Sequence, residues 1–554
     1  MYREIFRLDD SGDKGRLADH WIEQLWVLGL LVSAILLYQM NLGDVALRDW
    51  DEGIVATVAR EMYRGDFNWL HPTLHSQPYY NKPPLVHLLI ALSYHWFGVS
   101  EWSTRLPGAM LSALSVPLLY GIGREIFIWR GPAIFAAFAY LTLLPVVRYG
   151  RLAMLDGAVL CFFLLMVWCL LRSRRDLRWG LGVGIGLGLI CLTKGILGIL
   201  LGAIAGVFLI WDTPRLLSSG YLWTGIVLGI APAVGWYIAQ GLYYGETFIQ
   251  SHFFGQSFQR IVQPVEENSG PFWYYFLEIV KYSWPWVMFW PGGLGLAWKN
   301  PGMGWAKLIL VWTAGYLLSI SIMSTKLPWY VLPLYPAIAL ACGAQLFEIW
   351  QKLLGCTWSL GSSVSSEGWL TRSCRIYVIL LSLLAIAAWG ASLYYGFWAT
   401  AEERILALTL IAVGLTMTTS AILLSRQDRQ FVIILFWGMY VSLCLFFVTP
   451  YWLWELGEDY PVKPVAEMIR QHTPSETAIF TSHPNHRPSL NFYSDRQVIP
   501  ATFEQLRKHW KQDPSAYFLI DSDSLKRLKL KQIKSLDTFN NWHLVTRSPI
   551  VKKN

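Results

Sequence analysis

Apolar runs separated by short polar connections fill the chain from about residue 21 to about residue 450. A bilayer core of about 30 Å needs about 20 apolar residues as a helix. On that measure the pattern predicts spans near 21–40, 105–127, 131–147, 153–172, 180–193, 196–212, 219–240, 284–299, 305–323, 329–350, 374–396, 402–424 and 430–450, about thirteen in all. The first run has no small-residue cleavage site and is too long for a signal-peptide core, so it reads as a span that stays. The run 83–98 is apolar but only about 16 residues long, and reads as an interfacial or re-entrant helix. Two connections are long, 41–104 and 241–283. A connection longer than about 12–15 residues is usually functional or disordered. The aromatics of the first and its amphipathic start argue against disorder.

Beyond about residue 456 the pattern changes. Short apolar runs at 478–481, 516–520 and 543–546 alternate with helical patterns at 464–471, 503–511 and 524–529. That alternation predicts a small α/β domain. The expected organisation is an all-α polytopic membrane domain, 1–455, followed by this domain, 456–554.

Composition supports the membrane reading. Of 554 residues, 54% are hydrophobic and 15% charged, against about 25% charged in soluble domains. Thirty tryptophans suit the membrane interface. The net charge of +8 is read as an orientation signal and not as a nucleic-acid footprint. Seven cysteines are scattered among the spans and their edges, with none after Cys444, so the tail has no disulfide framework. If 83–98 does not cross, one set of connections is uniformly basic: Arg124 and Arg130, Arg172 to Arg178, Arg215, Lys299 and Lys307, Arg372 and Arg375, Arg426 and Arg429. The positive-inside rule places these in the cytoplasm.

The opposite face then collects Asp51, Glu52 and Lys82, Arg148, Arg151 and Asp156, Lys194, Lys326 and Tyr330, with the C-terminal domain also outside. A carboxylate at a membrane face can act as general base for a hydroxyl or amine nucleophile. A nearby lysine or arginine can hold a phosphate and stabilise the charge that grows as it leaves. A lipid-linked phosphosugar needs both, and the aromatics of 271–275 suit stacking on sugar or prenyl groups. His483 and His486 lack a further ligand and predict no metal site. The basic cluster Lys526, Arg527, Lys529, Lys531 and Lys534 reads as a solvated face beside a lipid-touching alternative.

An ordered set of motifs from about residue 50 to about residue 340 makes the reading specific. DEG…AREM…HSQPYYNKPPL, FGVSEWSTRLPGAM, GRLAMLD, LTKG, GPFWYY and TKLPWYVLPLYPA together resemble the GT-C glycosyltransferases, within them the protein O-mannosyltransferase relatives and especially the bacterial lipid A aminoarabinose transferases. The resemblance implies about thirteen spans, a re-entrant region in the first outer loop and an α/β domain outside the inner membrane. It implies transfer of a sugar from a polyprenyl-phosphate donor to a lipid, glycan or protein acceptor. It matches Asp51 to the catalytic aspartate, Lys82 to the donor-phosphate lysine, Asp156 to a second aspartate, and Lys194, Tyr330 and Arg260 to substrate-binding positions. Glu52 joins Asp51 and Asp156 as a catalytic candidate, and Lys326 joins Lys82, Lys194, Tyr330 and Arg260 as a donor-phosphate or substrate-binding candidate. Two positions depart from the family pattern: Ile54 stands where an arginine is usual, and Asn81 stands where an acidic residue often precedes the lysine. That acidic residue can join a histidine in a metal site, so the resemblance leaves a divalent metal open and assigns no ligand here. The alternative function is a polyprenyl-lipid or sugar transporter. It predicts repeated halves and mid-membrane charges, whereas here the charges gather in loops.

Overall fold

The computed structural model describes residues 13–49, 51–264, 268–354, 367–454, 461–475, 477–513 and 515–547. Trp50, Cys356 and the expected domain boundary at 455/456 lie outside the described residues. The chain divides into two compact units. The first comprises Met1–Leu42, Tyr80–Val86 and Leu106–Trp452. The second comprises Gly43–Tyr79, His87–Arg105 and Leu453–Asn554.

Among the described residues, nine helices are long and apolar enough to cross a membrane, or ten if one bent pair is counted as a span. The chain is thus an all-α polytopic membrane protein with a small β-containing C-terminal part. The expectation of thirteen differs at four segments. The run 131–147 is two helices, Arg130–Leu141 and Leu144–Arg151, bent by 55°. Pro145 lies in the first turn of the second helix, and Leu143 before it is extended. A proline start of this kind ends the preceding helix and redirects the chain. The other three are short helices: Asp156–Arg172 with 17 residues, Leu197–Asp212 with 16, and Trp290–Lys299 with 10. The helix Leu85–Phe97 has 13 residues, a rise of about 20 Å, too little for a straight crossing.

Close packing fixes the helix that carries Lys194. A Cβ on Gly184 or Gly188 of Gly180–Lys194 would lie 1.7 Å from the carbonyl oxygen of Gly225 or Gly229 on Gly220–Tyr244. Small residues at such seams let two helix backbones approach, as membrane helix pairs commonly do. Arg151 caps the end of the first helix, with Nη1 donating to the Leu37 carbonyl at 2.8 Å and Nη2 to that of Met40. Arg148 donates to the Trp452 carbonyl at 2.7 Å. Both arginines are therefore structural, although they share a motif with Asp156.

The second unit holds a five-stranded sheet in the order Gln497–Pro500, Ala478–Thr481, Tyr517–Asp521, Trp542–Arg547, Ile533–Phe539. The first three strands are parallel and the last two pair antiparallel. Ile479, Val498, Leu519 and Leu544 face the helix Val462–His472. Phe480, Phe518, Ile520 and Val545 pack with Leu506 and Trp510 of Phe503–Gln512. The period-2 alternation thus buries both sheet faces, giving a three-layer α/β arrangement.

Candidate active site

In the first unit, the LTKG segment ends the helix Gly180–Lys194. Gly195 has φ +59°, and a Cβ there would meet the Tyr237 hydroxyl at 2.7 Å and His252 Nε2 at 3.4 Å. Glycine is required on both counts, conformation and space. The turn leaves Lys194 with its Nζ 2.7 Å from Asp156 Oδ1, the carboxylate in the first turn of Asp156–Arg172. The same ammonium lies 5.5 Å from the centre of the Tyr330 ring. Arg260 Nη1 donates to the Tyr330 hydroxyl at 3.2 Å. The second long loop is stitched to the STK segment by backbone bonds: Ser324 N–H to Ile261 O at 3.0 Å, Thr325 N–H to Arg260 O at 3.1 Å, and Lys326 N–H to Asn268 O at 2.9 Å.

Lys82 belongs to the same unit, and its Nζ donates to Gln256 Oε1 at 3.5 Å. Near it His252 contacts the Tyr80 carbonyl at 2.7 Å. Contacts therefore join Asp156, Lys194, Tyr330 and Arg260, and His252 joins the Tyr80–Lys82 segment, with Gly195 beside Lys194 leaving no room for a side chain between them. Lys82, Lys194 and Arg260 bring three cationic side chains to this unit, and Lys194 pairs with the Asp156 carboxylate. Cations of this kind suit a phosphate, whose departing monoester form carries about −1.5 to −2 at pH 7.

Lys326 is placed differently. Its Nζ donates to the carbonyls of Ile320 at 3.2 Å and Ser321 at 2.7 Å, capping the helix Gly304–Ile322. Burial pushes its pKa down. Its ammonium serves the helix end, where cations complement the dipole.

In the second unit, the DEG segment opens the helix Asp51–Arg64, and each residue does a different job. Asp51 is half-buried in the first turn. Glu52 is buried, and Arg105 Nε and Nη2 donate to its two oxygens at 2.8 Å each. The Arg48 N–H adds a bond of 3.1 Å. Arg105 continues to the carbonyls of Val45 at 2.7 Å and Ala46 at 2.9 Å. Glu52 is thus fully committed to holding the loop. Gly53 lies against the chain at Pro488–Ser489, where a Cβ would come within 2.5 Å of the Ser489 nitrogen. Just before the helix, Asp49 accepts from the Ser489 N–H at 3.0 Å, and also from the Ser489 hydroxyl and Arg487 Nε. Further along, Asp495 pairs with Arg60 at 3.0 Å and Arg64 at 2.9 Å. Burial opposes the charge on Asp495, but the Arg64 bond and the two guanidiniums hold its pKa below the usual range. Residues 487–495 thus fix the segment around Asp51 from both ends.

The residues do not fit a metal. Among the described residues no three His, Cys, Asp or Glu side chains gather as ligands. Asn81 offers no carboxylate, and the two ring nitrogens of His252 face Tyr80 and Tyr237.

Tyr237, Gln256, Asp49 and Arg487 were not candidates from sequence, and His252 was met only in comparison with the family's metal-site histidine. The one signal that pointed near them was the glycine of LTKG, which marks a close approach without naming what approaches.

Residues 81–238 match the sequence profile of the dolichyl-phosphate-mannose-protein mannosyltransferase family. An undecaprenyl phosphate-alpha-4-amino-4-deoxy-L-arabinose arabinosyl transferase of Pseudomonas fluorescens is 28% identical over 384 residues, covering 67% of this chain and 62% of that relative. One from Pectobacterium carotovorum is 30% identical over 328 residues, covering 57% of this chain and 58% of its own length. The match thus spans about three fifths of these relatives. The crystal structure of ArnT from Cupriavidus metallidurans bound to undecaprenyl phosphate superposes with a TM-score of 0.74 at 19% identity, covering 95% of this chain and 99% of that one. At that identity the superposition establishes a shared fold.

Proposed function

We propose that this chain, which has the GT-C fold and is related to arabinosyl and mannosyl transferases of the ArnT and Pmt type, is an integral-membrane glycosyltransferase. It transfers a sugar from a polyprenyl-phosphate donor to a lipid, glycan or protein acceptor. The observation that carries this reading is the cluster in which Lys194 pairs with Asp156 and reaches Arg260 through Tyr330, with Lys82 in the same compact unit. A phosphate leaving from the sugar C1 carries its charge into that cluster. Asp156 orients Lys194, and Tyr330 spaces Lys194 from Arg260. Asp51 is the carboxylate that activates the acceptor hydroxyl or amine. Attack at C1 forms the new glycosidic bond, breaks the bond to the phosphate oxygen, and inverts the anomeric centre. The acceptor proton goes to Asp51 and the electron pair to the phosphate. Glu52 acts through the loop and not on substrate.

Mass spectrometry of glycolipids and glycoproteins tests this reading. Deleting the gene is expected to remove one sugar from a defined species and to restore it on complementation. A glycolipid and glycoprotein profile unchanged by deletion refutes it, and altered donor distribution with transfer intact favours the transporter.

The topology that accompanies this function has thirteen crossings, counting the bent pair and the three short helices, with Leu85–Phe97 outside the count. Residues 43–79 and 453–554 fall in one compact unit, which supports a common side, and the basic bias of the opposite connections supports a non-cytoplasmic one. Reporter fusions after Gly65 and after Thr473 are expected to give the same periplasmic signal. Opposite signals would mean that the 85–97 region crosses.

A further inference from the structure

His252 sits in the wide-turn helical segment Gln250–Phe258 and is 5% exposed. Wide turns of this kind often mark functional positions. Both ring edges are engaged. Nδ1 lies 2.7 Å from the Tyr80 carbonyl oxygen. A carbonyl only accepts, so Nδ1 carries the proton. In the neutral ring the lone pair is then on Nε2, which accepts from the Tyr237 hydroxyl at 3.3 Å. The ring stacks on Phe248, centroids 5.2 Å apart and planes 18° apart. Burial pushes the imidazole pKa below its ordinary value; the Tyr80 bond opposes this and the Lys82 charge adds to it.

Pro83 and Pro84 follow Lys82 and have no N–H to donate. The Tyr80 carbonyl, two residues before Lys82, is the main-chain group that His252 grips. One helical turn beyond His252, Gln256 receives the Lys82 ammonium at 3.5 Å. The Gln250–Phe258 segment therefore holds both the backbone and the side-chain end of the same short stretch. The Tyr80 ring is seated alongside, 5.1 Å from Tyr244 and 6.4 Å from Phe248.

We propose that His252 is a positioning residue that sets Lys82 for the polyprenyl phosphate, acting as a neutral Nδ1–H donor to the Tyr80 carbonyl and not as a metal ligand. This rests on the reading of Lys82 as the donor-phosphate lysine. A flexible four-carbon stem places its charge only as well as its backbone is fixed. His252 supplies that fixing and is itself held by the Tyr237 hydroxyl and the Phe248 ring.

The test is binding of sugar-free undecaprenyl phosphate to the purified full-length protein in detergent. Asparagine places its amide nitrogen near the position of Nδ1, whereas glutamine places its own near Nε2. His252→Ala and His252→Gln are expected to bind about tenfold more weakly, the loss of about one hydrogen bond. His252→Asn is expected to stay within about threefold of wild type. The KM for acceptor is expected not to move in any of the three. An asparagine variant that is folded yet binds as weakly as the alanine variant overturns the proposal. So does an alanine variant that binds like wild type, or binding that disappears on chelation and returns with zinc. Wild-type protein that fails to bind undecaprenyl phosphate would instead remove the Lys82 reading, and this proposal with it.

Discussion

Asp51→Asn is expected to lower transfer by about 10²–10⁴-fold, the contribution typical of a general base, with melting temperature little changed. Asp51 stands in the first turn of Asp51–Arg64, so helix capping is the competing account of its presence. An N-terminal cap accepts asparagine almost as well as aspartate, so the substitution separates the two roles. Glu52→Gln provides the contrast. It breaks a buried bidentate pair with Arg105, and removing one partner of such a pair costs about 3–5 kcal/mol. The Glu52 variant should therefore lose stability first, and the Asp51 variant should lose chemistry first. A fully active Asp51→Asn enzyme would send the search for the base elsewhere. Asp156, the remaining candidate carboxylate, lies 2.7 Å from the Lys194 ammonium, an arrangement suited to orienting that lysine.

Lys82→Ala is expected to lower turnover by about 10²–10³-fold, the scale for removing one group that stabilises developing charge. Its ammonium donates to the Gln256 amide oxygen at 3.5 Å, a contact that helps to locate the charge. Alanine leaves the departing phosphate with one cation fewer. Initial rates at saturating acceptor, with the donor varied, should show the defect in both kcat and donor KM. Near wild-type rates in a well-folded Lys82→Ala protein would assign the lysine to anchoring the loop. Lys82→Arg should recover only part of the activity, because a planar guanidinium does not replace a compact ammonium at a site shaped for it.

Local pattern determined much of this protein. The strand Ala478–Thr481 lies where its alternating apolar positions place it, and the helix Phe503–Gln512 begins at its expected residue. The strands Gln497–Pro500 and Ile533–Phe539 went unread. They are the two edges of the sheet; one ends in proline and the other is largely exposed, so neither needs the apolar alternation that marks a buried strand. The run 131–147 read as one span because hydropathy registers composition, whereas the 55° bend there is a matter of direction. The order of motifs nominated Asp51, Lys82, Asp156 and Lys194 without a structure. Only the tertiary fold decided which charges act on one another. Lys194 meets Asp156 across 38 residues, Glu52 meets Arg105 across 53, and Asp49 meets Arg487 across 438. Periodicity reports whether a residue prefers water or the interior, a property of each position and its near neighbours. The partner of a charge, and the carbonyl that receives the His252 proton, depend on which distant backbones pack together, and that is settled by close approach at positions such as Gly53 and Gly195.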